Sequence, residues 1–178
     1  MSGAPRAASV PDGPARSHEP DDPDAQRRAE RSAAVLLERD PATRELGITL
    51  ERVAPGFARL RMAVTDTMVN GHGTCHGGYL FTFADSAFAF ACNTFNRVTV
   101  AAGASIDFLA PARSGDVLHA EGRVLSQGRR TGVYDVVIED EGGRALALFR
   151  GRSHRLDGTL YDEAPDDGVP DDGVRGRA

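Results

Sequence analysis

The stretch at 78–95, GYLFTFADSAFAFACNTF, limits the fold more than any other part of the chain. Read as a helix, it carries Leu80, Phe81, Phe83, Phe88 and Phe90 among alanines almost all round its circumference. A helix without a polar face has to be buried. Thr82, Asp85, Ser86 and Asn93 interrupt it too often for a membrane span. The remainder of the chain must therefore wrap this helix.

What is available to wrap it is mostly strand. Residues 48–54 and 57–64 alternate apolar and polar side chains about Pro55-Gly56, the pattern of a hairpin. Downstream, 98–108, 116–126, 131–140 and 144–154 read as four more strands. In the first of these, Val98, Val100, Ala102, Ala104, Ile106 and Phe108 fall on one face, and small residues fill the other. Upstream, apolar residues recur at helical spacing from an expected N-cap at Asp24, and Asp40-Pro41 restarts a short second helix. One antiparallel sheet around one long buried helix is the simplest α+β architecture with this order.

The expected domain covers 24–156. Residues 1–23 and 157–178 are rich in Pro, Gly, Ser and Asp and poor in bulky apolar groups, and are expected to be disordered. Of the net charge of −5, the acidic excess sits in these ends, leaving the body mildly basic. No concentrated basic stripe marks a nucleic-acid binder, but a small anionic ligand fits. All 21 basic residues are arginine, and two cysteines in 178 residues make no disulfide framework. With no secretory signal pattern in the first residues, a reducing cytoplasm is the expected setting.

Chemistry concentrates where a glycine-rich loop, VNGHGTCHGG at 69–78, opens the buried helix. The first amides of a helix lack internal acceptors and sit at the positive end of its dipole. With no side chain at Gly77 or Gly78, an oxyanion could reach them; the same glycines also suit a tight turn. Asp85 follows among phenylalanines and alanines, with no basic residue between 77 and 96. Either it reaches solvent or a local donor at the helix edge, or it is a carboxylate held in a cleft as base or nucleophile, the reading favoured here. Gly77 and Asp85 are eight residues apart, about 12 Å along a helix. If both act on one carbonyl, they come from different subunits. His72, Cys75 and His76 lie on the loop without an acidic fourth ligand nearby, so no metal is expected. Arg129, Arg130 and Thr131, between Gly128 and Gly132, form either a solvated hairpin tip or a clamp for the phosphates of a nucleotide-bearing ligand.

These blocks together resemble the hotdog-fold acyl-CoA thioesterases of the PaaI type, associated with phenylacetate catabolism. The likeness runs from NGHGTCHGGYLFTFADSAFAFACN at 70–93 through SIDFLAP at 105–111 and QGRRTGVYDV at 127–136 to ALFRGRSHRL at 147–156. It implies a hotdog fold, homodimers with shared active sites, and pairing of dimers into homotetramers. It implies that Asp85 is the catalytic carboxylate and that His76 and Gly77 are the pair whose backbone amide binds the thioester oxygen. Asn70 matches a polar residue near the reacting carbonyl, and Gly78, Arg129, Arg130 and Thr131 fall to substrate and CoA. Where related thioesterases place a water-holding serine, this chain has Ala101. The implied substrates are aryl- or arylacetyl-CoA esters, hydroxyphenylacetyl-CoA among them, with CoA as part of the substrate and no cofactor, nucleic acid or membrane partner. The rival readings are a hotdog acyl-CoA hydratase or dehydratase, and a non-catalytic acyl-CoA sensor.

Overall fold

A computed structural model describes residues 22–162; the expected disorder of the outermost residues lies outside that range. Helix α1, Pro23–Arg39, starts two residues earlier than expected. Its cap is Asp22, whose carboxylate accepts from the Asp24 and Ala25 amides at 2.9 and 3.2 Å. Pro23, which has no N–H to satisfy, fits the first turn and extends the helix back. Helix α2, Pro41–Glu45, is capped by Asp40 as the Asp-Pro pair predicts.

Six strands form one antiparallel sheet: β1 Thr49–Ala54, β2 Phe57–Ala63, β3 Thr99–Phe108, β4 Val117–Gln127, β5 Thr131–Asp140 and β6 Ala145–Arg155. Their spatial order is β1-β2-β4-β5-β6-β3. The long helix α3, Gly77–Asn93, lies against one face of it. Its Phe83, Ala84, Ala87, Phe88, Phe90 and Ala91 are buried with Leu60, Met62, Leu118, Ala120, Tyr134, Val136, Ile138 and Phe149 from the strands. The approach is closest at Gly122 of β4, where a Cβ would stand 2.9 Å from the Ala87 carbonyl oxygen. Only a residue without a side chain lets helix backbone and strand come so near. This is the α+β hotdog arrangement that the resemblance implies.

Three expectations need correction. The single alternating face of β3 does not hold, because its pairing with β6 slips between Ala101 and Gly103. One extra residue in a strand exchanges the faces beyond it. Thr99 and Ala101 therefore share the inner face with Ala104, Ile106 and Phe108, opposite Arg155, Ser153, Gly151, Phe149 and Ala147. Second, α3 is not covered all round: Gly78 and Phe81 are exposed, and Thr82, Asp85, Ser86 and Ala89 are only half-buried. Third, the ordered body does not stop at residue 156. Asn96, 1% exposed with a φ of 52°, accepts from the Leu160 and Tyr161 amides at 3.1 and 3.2 Å and donates to the Tyr161 carbonyl at 3.1 Å. The Tyr161 ring lies under the Arg31 guanidinium, and its hydroxyl donates to the Arg28 carbonyl. Residues 157–162 are thus clasped between the end of α3 and α1.

Candidate active site

The loop before α3 is held by its own polar groups. The Asn70 side-chain oxygen accepts from the His72 amide at 2.8 Å, and its NH2 donates to the Thr74 hydroxyl at 3.2 Å. Such an Asx turn folds a short loop without help from elsewhere. The Cys75 amide donates to the Ala112 carbonyl and the His76 amide to the Met68 carbonyl, both at 2.8 Å, so the loop delivers the helix start in a set place.

His76 is the N-cap of α3: its Nδ1 accepts from the Gly78 amide at 3.0 Å. That bond occupies the Gly78 amide with the ring beside it. The His76 carbonyl accepts from Tyr79 and Leu80. Gly77 is left as the first residue of the helix, and its N–H has no acceptor among the described residues. One half-exposed donor at the positive end of a 17-residue helix is suited to a developing oxyanion. The Phe108 ring packs on Gly77 so closely that a Cβ there would be 2.8 Å from the ring, so a side chain at this position requires the exposed Phe108 ring to move.

Asp85 lies two turns along the same helix. It is half-buried and neither hydrogen-bonded nor ion-paired among the described residues. Burial raises its pKa above the ordinary carboxylate value, and no neighbouring charge offsets the rise. A carboxylate with a raised pKa and free lone pairs is a stronger base than an exposed one. The residue after it, Ser86, is tied to Thr43 of α2 by a 3.1 Å hydroxyl contact, which fixes this part of α3 against the second helix. Asp85 and Gly77, about 12 Å apart along the axis, do not meet within one chain.

Nor do Arg129, Arg130 and Thr131 approach Gly77. They form the β4–β5 turn at the other end of α3, where Gly128 donates to the Thr131 carbonyl and Arg155 to the Arg130 carbonyl. Here a cavity of about 310 Å³ is lined by Arg97, Arg129, Arg130 and Arg155 together with Leu156 and Asp157. Among the described residues, the carboxylate lining it is Asp157, 3.4 Å from Arg130. The Arg155 Nε is buried and has no hydrogen-bond acceptor among the described residues. Sequence reasoning found Arg129 and Arg130 but not Arg97 and Arg155, because only the register of β5, β6 and β3 gathers the four. A neighbouring cavity of about 570 Å³ shares Arg97 and is lined by Arg28, Phe95, Asn96, Thr159 and Asp162. Neither cavity touches Asp85 or Gly77. Among the described residues, no three His, Cys, Asp or Glu side chains gather as metal ligands, and no helix is long and apolar enough to cross a membrane.

Comparison with known proteins bears on this geometry. Residues 72–147, which include both the free amide and the carboxylate, match the thioesterase superfamily model. The chain is 46% identical to the acyl-coenzyme A thioesterase PaaI of Escherichia coli K12 over 137 residues, 77% of this chain and 98% of that protein. The structure of the E. coli PaaI protein from the phenylacetic acid degradation operon superposes with a TM-score of 0.75 at 45% identity, covering 76% of this chain and 98% of that one. A Streptococcus mutans protein bound to acetyl-CoA superposes with a TM-score of 0.61 at 26% identity, covering 63% of this chain and 90% of the other.

Proposed function

This chain belongs to the thioesterase superfamily and is a thioester hydrolase of the PaaI type acting on acyl-CoA; from that premise we propose that its active site is shared between two copies and is selective for aryl- or arylacetyl-CoA esters. The observation that carries the proposal is the pair of unsatisfied groups on α3. Among the described residues the Gly77 N–H lacks an acceptor and Asp85 lacks a donor, and the two are too far apart to serve one carbonyl from one chain.

In the shared site, the Gly77 amide of one copy binds the thioester oxygen while Asp85 of the other removes a proton from the attacking water. The negative charge that develops on the carbonyl oxygen faces a fixed donor and the helix dipole. Collapse of the tetrahedral intermediate breaks the C–S bond, and the proton held by Asp85 passes to the departing CoA sulfur. The alternative in which Asp85 attacks the carbonyl itself, giving an anhydride, uses the same two groups. His76 keeps the helix start in place through its cap on Gly78, and one N–H of the Asn70 carboxamide remains to orient the thioester or the water. No prosthetic group enters these steps.

The arginine-lined cavity fits the phosphates of CoA. Eight residues separate Asp85 from Asn93 at the end of α3, about 12 Å. With the two helices antiparallel, the copy that supplies Asp85 also supplies Arg129, Arg130 and Thr131, and the pantetheine arm spans the interval. Dimers joined in this way pair further into tetramers in our reading, and the cytoplasm is the compartment where both free, buried cysteines, Cys75 and Cys92, stay reduced.

The deciding experiment is a panel of acyl-CoA esters assayed for release of free thiol, run on the wild type and on Asp85→Asn. Arylacetyl- and aroyl-CoA should give the highest kcat/KM, and Asp85→Asn should lower kcat by about 10² to 10⁴ for every ester, the usual worth of a general base. Equal turnover in the variant would remove Asp85 from the mechanism; a preference for long alkyl chains would remove the aryl assignment.

A further inference from the structure

The two arginine-lined cavities adjoin at Arg97, and together they make a basic trough lined by Arg28, Arg97, Arg129, Arg130 and Arg155. The carboxylates among their lining residues are Asp157 and Asp162, so the guanidinium groups are in excess there. The Arg155 Nε is buried and has no acceptor among the described residues. Leu156, 45% exposed, puts an apolar spot among these cations. Clustered cations repel one another, and an anion seated among them relieves the repulsion. The chain itself runs along this trough after β6. The Arg155 amide donates to the Arg130 carbonyl at 2.7 Å, the Leu156 amide to the Val98 carbonyl at 2.8 Å, and Asn96 holds Leu160 and Tyr161. Asp162, the last described residue, is thereby delivered to the wall of the trough.

From that point the sequence continues as EAPDDGVPDDGVRGRA, residues 163–178. Its first ten residues carry Glu163, Asp166, Asp167, Asp171 and Asp172 and no basic group. Each aspartate pair is followed two residues on by a valine, Val169 and Val174, an anion and an apolar group in the same short span. We propose that residues 163–172 dock in the arginine trough until acyl-CoA displaces them, so that the chain carries its own competitor for the phosphates of its substrate. The proposal rests on the reading of this cavity as the CoA-phosphate site and adds regulation to it. Reach is sufficient: five extended residues beyond Asp162 cover up to about 17 Å, and Arg97 at the near cavity also lines the far one. Carboxylates meet guanidinium groups with the same paired hydrogen bonds that phosphates use. A tethered anion needs little affinity of its own, because a short linker holds it at an effective concentration of about millimolar.

The test uses the full chain. Asp166→Asn, Asp167→Asn, Asp171→Asn and Asp172→Asn, made together, should lower KM for acyl-CoA about three- to tenfold at low salt and leave kcat unchanged, as removal of a tethered competitor requires. The difference should close in about 1 M salt, where charges are screened within about 3 Å. A short thioester without the nucleotide should show no difference at either salt. A second readout needs no turnover. The chain has no tryptophan, so Val169→Trp reports on the acidic segment alone. Acrylamide should quench it weakly in the free protein, and strongly once free CoA is added or Arg129→Ala and Arg130→Ala are introduced. An unchanged or higher KM in the asparagine variant would overturn the proposal, as would quenching that neither CoA nor the arginine replacements alter. The parent reading fails separately: with the four aspartates already replaced, Arg129→Ala and Arg130→Ala would then leave KM for CoA esters where it was.

Discussion

As the proposed base, Asp85 would tie function to stability through one side chain. Its pKa is raised because ionisation is penalised by burial, and no partner among the described residues returns the cost. A carboxyl group whose pKa is higher folded than unfolded binds its proton more tightly in the fold, so the folded state is favoured while the group is neutral. The penalty is absent below the unfolded pKa of about 3.9, grows as pH rises to the folded value, and is constant above it. Asp85→Asn should therefore melt above wild type at pH 7, with the difference shrinking to nothing near pH 3.5, as measured by thermal unfolding across that range. The same shift places the acid limb of kcat/KM above the ordinary carboxylate range, and the limb should vanish in any residual activity of Asp85→Asn. A variant less stable than wild type at neutral pH would mean that the ionised carboxylate is held by something and is not a free base.

At the scale of elements, the proposed function gives the β4–β5 turn substrate binding and leaves the chemistry to α3. If its arginines hold only the phosphates, replacing Arg129 and Arg130 together with Ala should raise KM for CoA esters and leave kcat nearly unchanged, the mark of uniform binding. A short thioester without the nucleotide should be cleaved as well as by wild type. An unchanged KM for CoA esters would return the turn to a solvated hairpin tip. The elements themselves were legible in the sequence to within a residue or two, because apolar periodicity and Pro or Gly at their ends mark them. Register was not. The slip at Ala101–Gly103 lies among residues so small that either face of β3 looked equally suited to the core. The bare face of α3 was hidden for a related reason: Phe81 and Phe83 are the same residue, and only tertiary packing distinguishes them. At the site, the loop and Asp85 could be recognised from local context. That Gly77 alone keeps a free amide could not, since it depends on the His76 ring turning to Gly78.

At the scale of the whole molecule, chain closure and the proposed assembly both involve the ends of α3. Beyond its C-terminus, Asn96 holds Leu160 and Tyr161, so a chain cut after Asp157 leaves a buried carboxamide without these partners. Compared with a chain ending at Asp162, it should lose about 0.5–1.5 kcal/mol for each of these hydrogen bonds removed, seen as a lower midpoint in denaturant. On the shared-site proposal, the free amide at the N-terminus of α3 is the half of the site that a second copy completes. The most direct measurement mixes two inactive proteins. One is Asp85→Asn. The other is Gly77→Pro, which removes the N–H at a first helical position where proline is tolerated, once the 54%-exposed Phe108 ring turns aside. After each is shown to assemble like wild type, they are dissociated, mixed in equal amounts and reassembled. In a shared-site dimer, each mixed pair holds one site with both defects and one with neither, so activity should return to about a quarter of wild type. Mixed oligomers that form fully and stay at background would place both groups of each site in one chain and contradict the account.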